Sequence, residues 1–138
     1  MSDYGEIASA VARLAWIVDH KEEQAGYMDC WTEDAVLDYT FADGTHYNWN
    51  AEEIAGLLKT SYTTPETECL HIPTNPVIDI DGDTARARYY VILTRMGPQA
   101  RPVGVGECDA QLHKCADGRW RVAVLKEVQL LVYTRIDG

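Results

Sequence analysis

Apolar residues recur at helical spacing from the start of the chain: Ile7, Val11, Leu14 and Val18, with Ala8 and Ala15 beside them. That period predicts an amphipathic helix, and Asp3 followed by Glu6 is a capping box that would open it. Glu22 to Trp31 reads as a second, shorter helix, weakened by Gly26. Ala35 to Phe41 reads as a strand, and Asp43-Gly44 as a hairpin turn into Thr45–Tyr47. Asn50 and Glu53 form a further capping-box pair before Ile54, Leu57 and Leu58, the buried stripe of a third helix. Thr63-Thr64-Pro65 would end it.

Beyond residue 66 the period changes to that of strands separated by turns. Cys69 to Ile80 is extended but interrupted by Pro73 and Pro76, which predicts an edge or bulged strand. Asp81-Gly82-Asp83 turns the chain into a long strand, Thr84 to Met96. Ala85, Ala87, Tyr89, Val91 and Leu93 share one of its faces, and Arg86 and Arg88 the other. Gly97-Pro98 turns it again, Val103 to Cys115 returns, and Asp117-Gly118 leads into a last strand from Arg119 to about Thr134. Three N-terminal helices followed by a long antiparallel meander make an α+β architecture. Strands this long would leave an apolar face wet unless the sheet curved over the helices. The predicted fold is therefore a strongly curved, mostly antiparallel sheet wrapped on the helices as an α+β barrel, enclosing a conical cavity for a ligand.

Composition narrows the function. A chain of 138 residues is read as one domain, 1–138, large enough for a core without disulfides or metal. Twelve Lys+Arg against twenty-two Asp+Glu leave a net charge of −10, which would repel nucleic acid and anionic membranes. The longest apolar segment, Ile7 to Val18, contains Arg13 and is too short to span a bilayer. Met1 to Glu6 has no basic segment before an apolar one, so no signal peptide is expected. Cys30, Cys69, Cys108 and Cys115 form no C-x-x-C pair, so they are expected to be reduced thiols in a cytoplasmic protein, with no metal bound. No phosphate-binding loop, G-x-S-x-G or H-E-x-x-H motif occurs, so no organic cofactor is expected.

Polar residues on apolar faces are the candidates for chemistry. Asp19 falls on the apolar stripe of the first helix, which puts it either at a solvated helix end or inside the covered cavity. His71, between Leu70 and Ile72, is by itself either a structural strand histidine or a base. An aspartate bonded to one ring nitrogen would fix the tautomer and leave the other as a base near neutral pH. Arg95 continues the Ala87–Tyr89–Val91–Leu93 face and would contact an oxyanion there, or emerge into solvent. Tyr39 is either a donor into the cavity or an ordinary strand aromatic. Glu107 and Asp109 share one face with Gln111 and His113, which also fits a solvent-facing edge.

These segments resemble a known superfamily. Trp31-Thr32-Glu33-Asp34-Ala35-Val36-Leu37-Asp38-Tyr39 resembles the entry to the first strand in nuclear transport factor 2-like proteins. The run His71 to Tyr89, containing Asp81-Gly82-Asp83-Thr84-Ala85, resembles a segment of the SnoaL-like branch. Asp117-Gly118-Arg119-Trp120-Arg121-Val122 resembles that branch's start of the final strand. In site pattern the chain is similar to the scytalone dehydratase-like group, which includes bile-acid 7-alpha dehydratase and hexachlorocyclohexane dehydrochlorinase. The resemblance puts that group's aspartate at Asp19, its histidine at His71, its first-strand tyrosine at Tyr39, and an asparagine position at Asp109. Val18 and Arg95 depart from the pattern, at a helix tyrosine and a second histidine, which argues against scytalone itself. The catalytic aspartate of ketosteroid isomerase, a more distant relative, falls at about Tyr39.

The resemblance implies a single SnoaL-like domain acting as a cofactor-independent enzyme: a dehydratase or lyase working by elimination on a compact hydroxylated ring. His71 would be general acid/base, Asp19 its orienting partner, and Tyr39 and Arg95 would polarise a substrate oxygen, with Trp16, Tyr89 and Asp109 completing the binding site. The alternatives are a polyketide cyclase or isomerase, and a noncatalytic binding or dimerisation module. Relatives of this fold pair through the outer face of the sheet. With Val128, Leu130 and Val132 on one face of the last strand and Leu131 and Tyr133 on the other, a homodimer is expected.

Overall fold

The computed structural model describes residues 2–60, 69–98 and 100–132. Thr63-Thr64-Pro65, Tyr133 and Thr134 lie outside the described residues, as do the side chains of Leu131 and Val132. Helix α1 spans Asp3–Asp19 and buries Ile7, Val11, Leu14 and Ile17. Its cap is Ser2 and not Asp3: the Ser2 hydroxyl accepts from Gly5 N at 3.1 Å. Asp3 is engaged elsewhere, its carboxylate accepting from Trp120 Nε1 at 3.1 Å and Lys114 Nζ at 3.3 Å. The segment expected as a second helix is a 3-10 helix, Lys21–Cys30, and Trp31 already belongs to the following strand.

Strand β1 (Trp31–Thr40) turns through Asp43-Gly44, where Gly44 has φ +91°, into β2 (His46–Asn50). A left-handed residue suits glycine, which has no Cβ to clash. Helix α2 (Ala51–Thr60) begins with both arms of the Asn50/Glu53 capping box made. Glu53 N donates to Asn50 Oδ1 at 3.0 Å, and Asn50 N to Glu53 Oε1 at 3.2 Å.

Strands β3 (Cys69–Pro73), β4 (Val77–Asp81), β5 (Thr84–Arg95), β6 (Arg101–Lys114) and β7 (Trp120–Val132) complete a sheet of order β2-β1-β7-β6-β5-β3. All neighbours are antiparallel except β1 and β7, and the sheet is curved without closing. Pro73 and Pro76 divide the extended segment in two, because proline has no N–H for the ladder. Both halves lie along β5: β3 pairs with Val91–Arg95 and β4 with Thr84–Arg88. The helices cover the concave face, where Ala85, Ala87, Tyr89 and Val91 alternate with the outward Arg86, Arg88 and Tyr90. Leu112 and Val122 at its centre, and Ile7 and Ile54 from the helices, are fully buried. Each contributes about 1.5–3 kcal/mol by leaving water.

A candidate active site between helix 1 and the sheet

Asp19 is the last residue of α1. A carboxylate at a helix C-terminus opposes the helix dipole, so it needs donors from another element. His71 supplies two. Its backbone N–H donates to Asp19 Oδ2 at 2.8 Å, and its ring Nδ1 lies 2.7 Å from Oδ1. The carboxylate is only 6% exposed and the imidazole 26%, so the pair is largely withdrawn from water. Strand alternation explains the approach: Ile72 faces out, while His71 and Pro73 line a cavity under α1.

That cavity has a volume of about 300 Å³. Val11, Leu14, Ala15 and Val18 of α1 form one wall, and Tyr89, Val91 and Leu93 of β5 another. Tyr39, Phe41 and Trp49 form an aromatic side built on β1 and β2. The Tyr39 ring centroid lies 4.7 Å from that of Phe41 and 6.0 Å from that of Trp49. Among the described residues, neither lysine nor arginine lines this space.

One polar lining residue escaped the sequence reading. Glu127 of β7 projects into the cavity, accepting from Cys108 Sγ at 3.4 Å and bonding to the Tyr39 hydroxyl. Burial raises the pKa of Glu127, and the Tyr39 and Cys108 bonds and the nearby His71 ring counter this only in part. Burial likewise raises the Cys108 thiol and the Tyr89 phenol. A bulge in the β6–β7 ladder hid Glu127: Leu112 pairs with Val122 but Gln111 with Val124. The phase of β7 therefore shifts after Val122, and Leu125 and Glu127 turn inward. A lone carboxylate two residues after Leu125, inside an apolar run, was the available signal.

Of the residues expected at the site, Asp19 and His71 are in contact, and His71, Tyr39 and Tyr89 line one cavity. Three others lie elsewhere. Trp16 is 55% exposed, because two residues past Leu14 is about 200° around a helix. It stacks on His20 at 3.9 Å and donates from Nε1 to Glu23 at 2.6 Å. Arg95 is the last residue of β5 and is exposed there, so it does not line the cavity. Asp109 sits between the inward Cys108 and Ala110 and so faces outward. Arg86 holds it there by two bonds, Nε to Oδ1 at 2.9 Å and Nη2 to Oδ2 at 2.6 Å, which lower its pKa. The outward Glu107 is exposed as well. Among the described residues, no three His, Cys, Asp or Glu side chains gather as a metal site would need. No described helix is long and apolar enough to cross a membrane.

Comparison with known proteins agrees with this architecture. The profile of the SnoaL-like domain matches residues 1–126. Among solved structures, an NTF2-like protein with a cystatin-like fold from Novosphingobium aromaticivorans is 21% identical, with a TM-score of 0.76 over 93% of this chain and 82% of that one. A candidate aromatic ring hydroxylase from the same organism is 24% identical, with a TM-score of 0.76 over 94% and 90%. ActVI-ORFA from Streptomyces coelicolor is 16% identical, with a TM-score of 0.68 over 91% and 96%. No curated protein matches the sequence. At these identities the solved structures establish an NTF2-like, cystatin-like fold, and the profile establishes the lineage: the chain belongs to the SnoaL-like domain family.

Proposed function

We propose that this protein is a cofactor-independent enzyme that removes a proton from a compact, uncharged ring substrate by means of His71, oriented by Asp19, and completes an elimination of the dehydratase type. The observation that carries the reading is the two-point contact between Asp19 and His71 at the wall of the cavity. With Nδ1–H donating to the carboxylate, Nε2 bears the lone pair of the neutral ring and acts as the base. The Asp19 carboxylate then stabilises the imidazolium that forms, as in the triad logic. Tyr39 is placed in this reading to polarise a substrate oxygen, and Tyr89 to pack against the ring.

The lining supports the choice of substrate class. A volume of about 300 Å³ is at the small end for ligand sites, which fits one or two fused rings. An anionic substrate would lose its hydration with no lysine or arginine in the described lining to replace it. Membership of the SnoaL-like family also supports a second reading, a polyketide cyclase or isomerase using the same base on another uncharged ring. We further propose a cytoplasmic homodimer. The four free cysteines fit a reducing compartment. Tyr90 and Leu130, each 50% exposed, offer apolar surface to a second copy.

The deciding experiment is turnover of a panel of neutral hydroxylated ring ketones by the wild type and His71→Ala. Loss of about 10²–10⁴-fold in kcat/KM in the variant is expected. Equal rates in two equally folded proteins would end the reading and leave a binding module.

A further inference from the structure

We propose that Glu127 is a second proton-transfer group of this cavity, giving its proton to the departing oxygen while His71 takes one from carbon. The inference rests on the reading of His71 given above, and adds to it the acid that an elimination needs. Hydroxide is a poor leaving group, so a base alone cannot complete a dehydration in a site lined mainly by apolar side chains.

The geometry supplies the acid. Glu127 and His71 reach the same cavity from opposite parts of the sheet, since β7 and β3 are separated by β6 and β5. The groups around the carboxyl are Tyr39 on β1, Cys108 on β6 with Tyr89 behind it on β5, and the His71 ring on β3. The lining residues from α1 and α2 are apolar. Of these neighbours only His71 can carry a positive charge, and as the neutral base it carries none. Burial raises the pKa of Glu127, and the bonds from Tyr39 and Cys108 offset this only in part, which favours the protonated form. A carboxylic acid held neutral in a dry site can donate.

The step balances. His71 Nε2 takes the proton from the carbon next to the substrate carbonyl, and that C–H electron pair becomes the new C=C bond. The C–O bond to the hydroxyl breaks, and its oxygen leaves with the electron pair and the Glu127 proton as water. The site is left as imidazolium and carboxylate, opposite charges that attract across the cavity. Return of the proton from His71 to Glu127 restores both groups without an external reagent.

The test is an infrared difference spectrum of the intact protein, wild type minus Glu127→Gln, at neutral pH with and without indan-1-one, a neutral ring ketone. A neutral carboxyl C=O band that the variant lacks, and that shifts when saturating ketone is added, is the expected result. A carboxylate signature instead, or a band the ketone leaves unmoved, overturns the inference. If Glu127→Gln does not fold, Cys108→Ala keeps the carboxyl and should move the same band by removing the thiol contact; an unmoved band counts against the assignment equally. Elimination of water from 3-hydroxyindan-1-one separates the two readings. Loss in His71→Ala with wild-type rates in Glu127→Gln overturns the role of Glu127 alone. Loss in Glu127→Gln with wild-type rates in His71→Ala overturns the reading beneath it.

Discussion

Replacing Asp19 by asparagine keeps the shape of the side chain, removes its charge, and asks whether the carboxylate sets the state of His71. Both Asp19 oxygens accept, from the His71 backbone N–H at 2.8 Å and from Nδ1 at 2.7 Å, with the carboxylate 6% exposed. Asparagine offers one acceptor oxygen and an NH2 that only donates. If its oxygen stays on Nδ1–H, the NH2 faces the backbone N–H and a buried donor is left unmet, at about 1–3 kcal/mol. If its oxygen stays on the backbone N–H, the ring can adapt by moving its proton to Nε2. The second arrangement wins because it keeps the backbone donor bonded and leaves only the ring Nε2–H facing the cavity. Exchanging two charge-assisted bonds for neutral ones then costs about 2–3 kcal/mol of stability, from the usual difference between the two kinds. The nitrogen meant to act as base is now protonated, so most of a contribution of about 10²–10⁴-fold should go with it. Imidazole ¹⁵N NMR above the histidine titration reads the tautomer directly, and urea denaturation reads the stability. An Asp19→Asn protein that kept the Nδ1–H tautomer and wild-type stability would refute this account of the pair.

Glu127 should leave its mark on stability as a function of pH. Its folded pKa is raised above the ordinary 4.5, so the folded protein holds the proton longer than the unfolded chain. That contribution is complete below about 4.5 and declines as pH rises through the folded value. Glu127→Gln should therefore gain on the wild type between about pH 4 and about pH 8 in denaturant midpoint, and a constant difference would count against a neutral carboxyl. Asn50→Ala removes one arm of the α2 capping box and should cost about 1 kcal/mol in the same assay, whereas no change would show the cap to be idle. Light scattering at micromolar concentration should give about twice the 15.5 kDa chain mass, and a monomer would exclude the proposed dimer. Dialysis against a strong chelator should leave the thermal transition where it was, and a fall of several degrees would reveal a structural metal.

The elements were legible where local chemistry decides them. The α1 stripe, the Asn50/Glu53 box, the Asp43-Gly44 turn and the inward alternation of β5 each rest on neighbours within a few residues. The break between β3 and β4 was legible too, because proline cannot pair in a ladder whatever lies beside it. What failed depended on ladder register. Glu127 follows an extra residue in β7, and a single shift moves every later side chain to the other face, while Arg95 stands exposed as the last residue of β5. Asp109 was misjudged for a different reason: its partner Arg86 lies on the neighbouring strand, 23 residues away, and no local pattern marks the bidentate bond.

The placement of the polar groups follows from how such a cavity can be built. Burying a lone carboxylate or imidazole costs free energy unless a partner compensates it. Asp19 meets this condition by closing on its neighbour across a helix–strand junction, with both oxygens occupied. Glu127 meets it by accepting from Cys108 and Tyr39, with its pKa raised by burial. In the proposed reading the two acids differ in charge, and that difference makes them distinct partners. His71 accepts a proton and Glu127 donates one in that reading. The walls from α1 are apolar, as are Val91 and Leu93 of β5. In the proposed reading the fold therefore supplies the asymmetry that proton transfer needs.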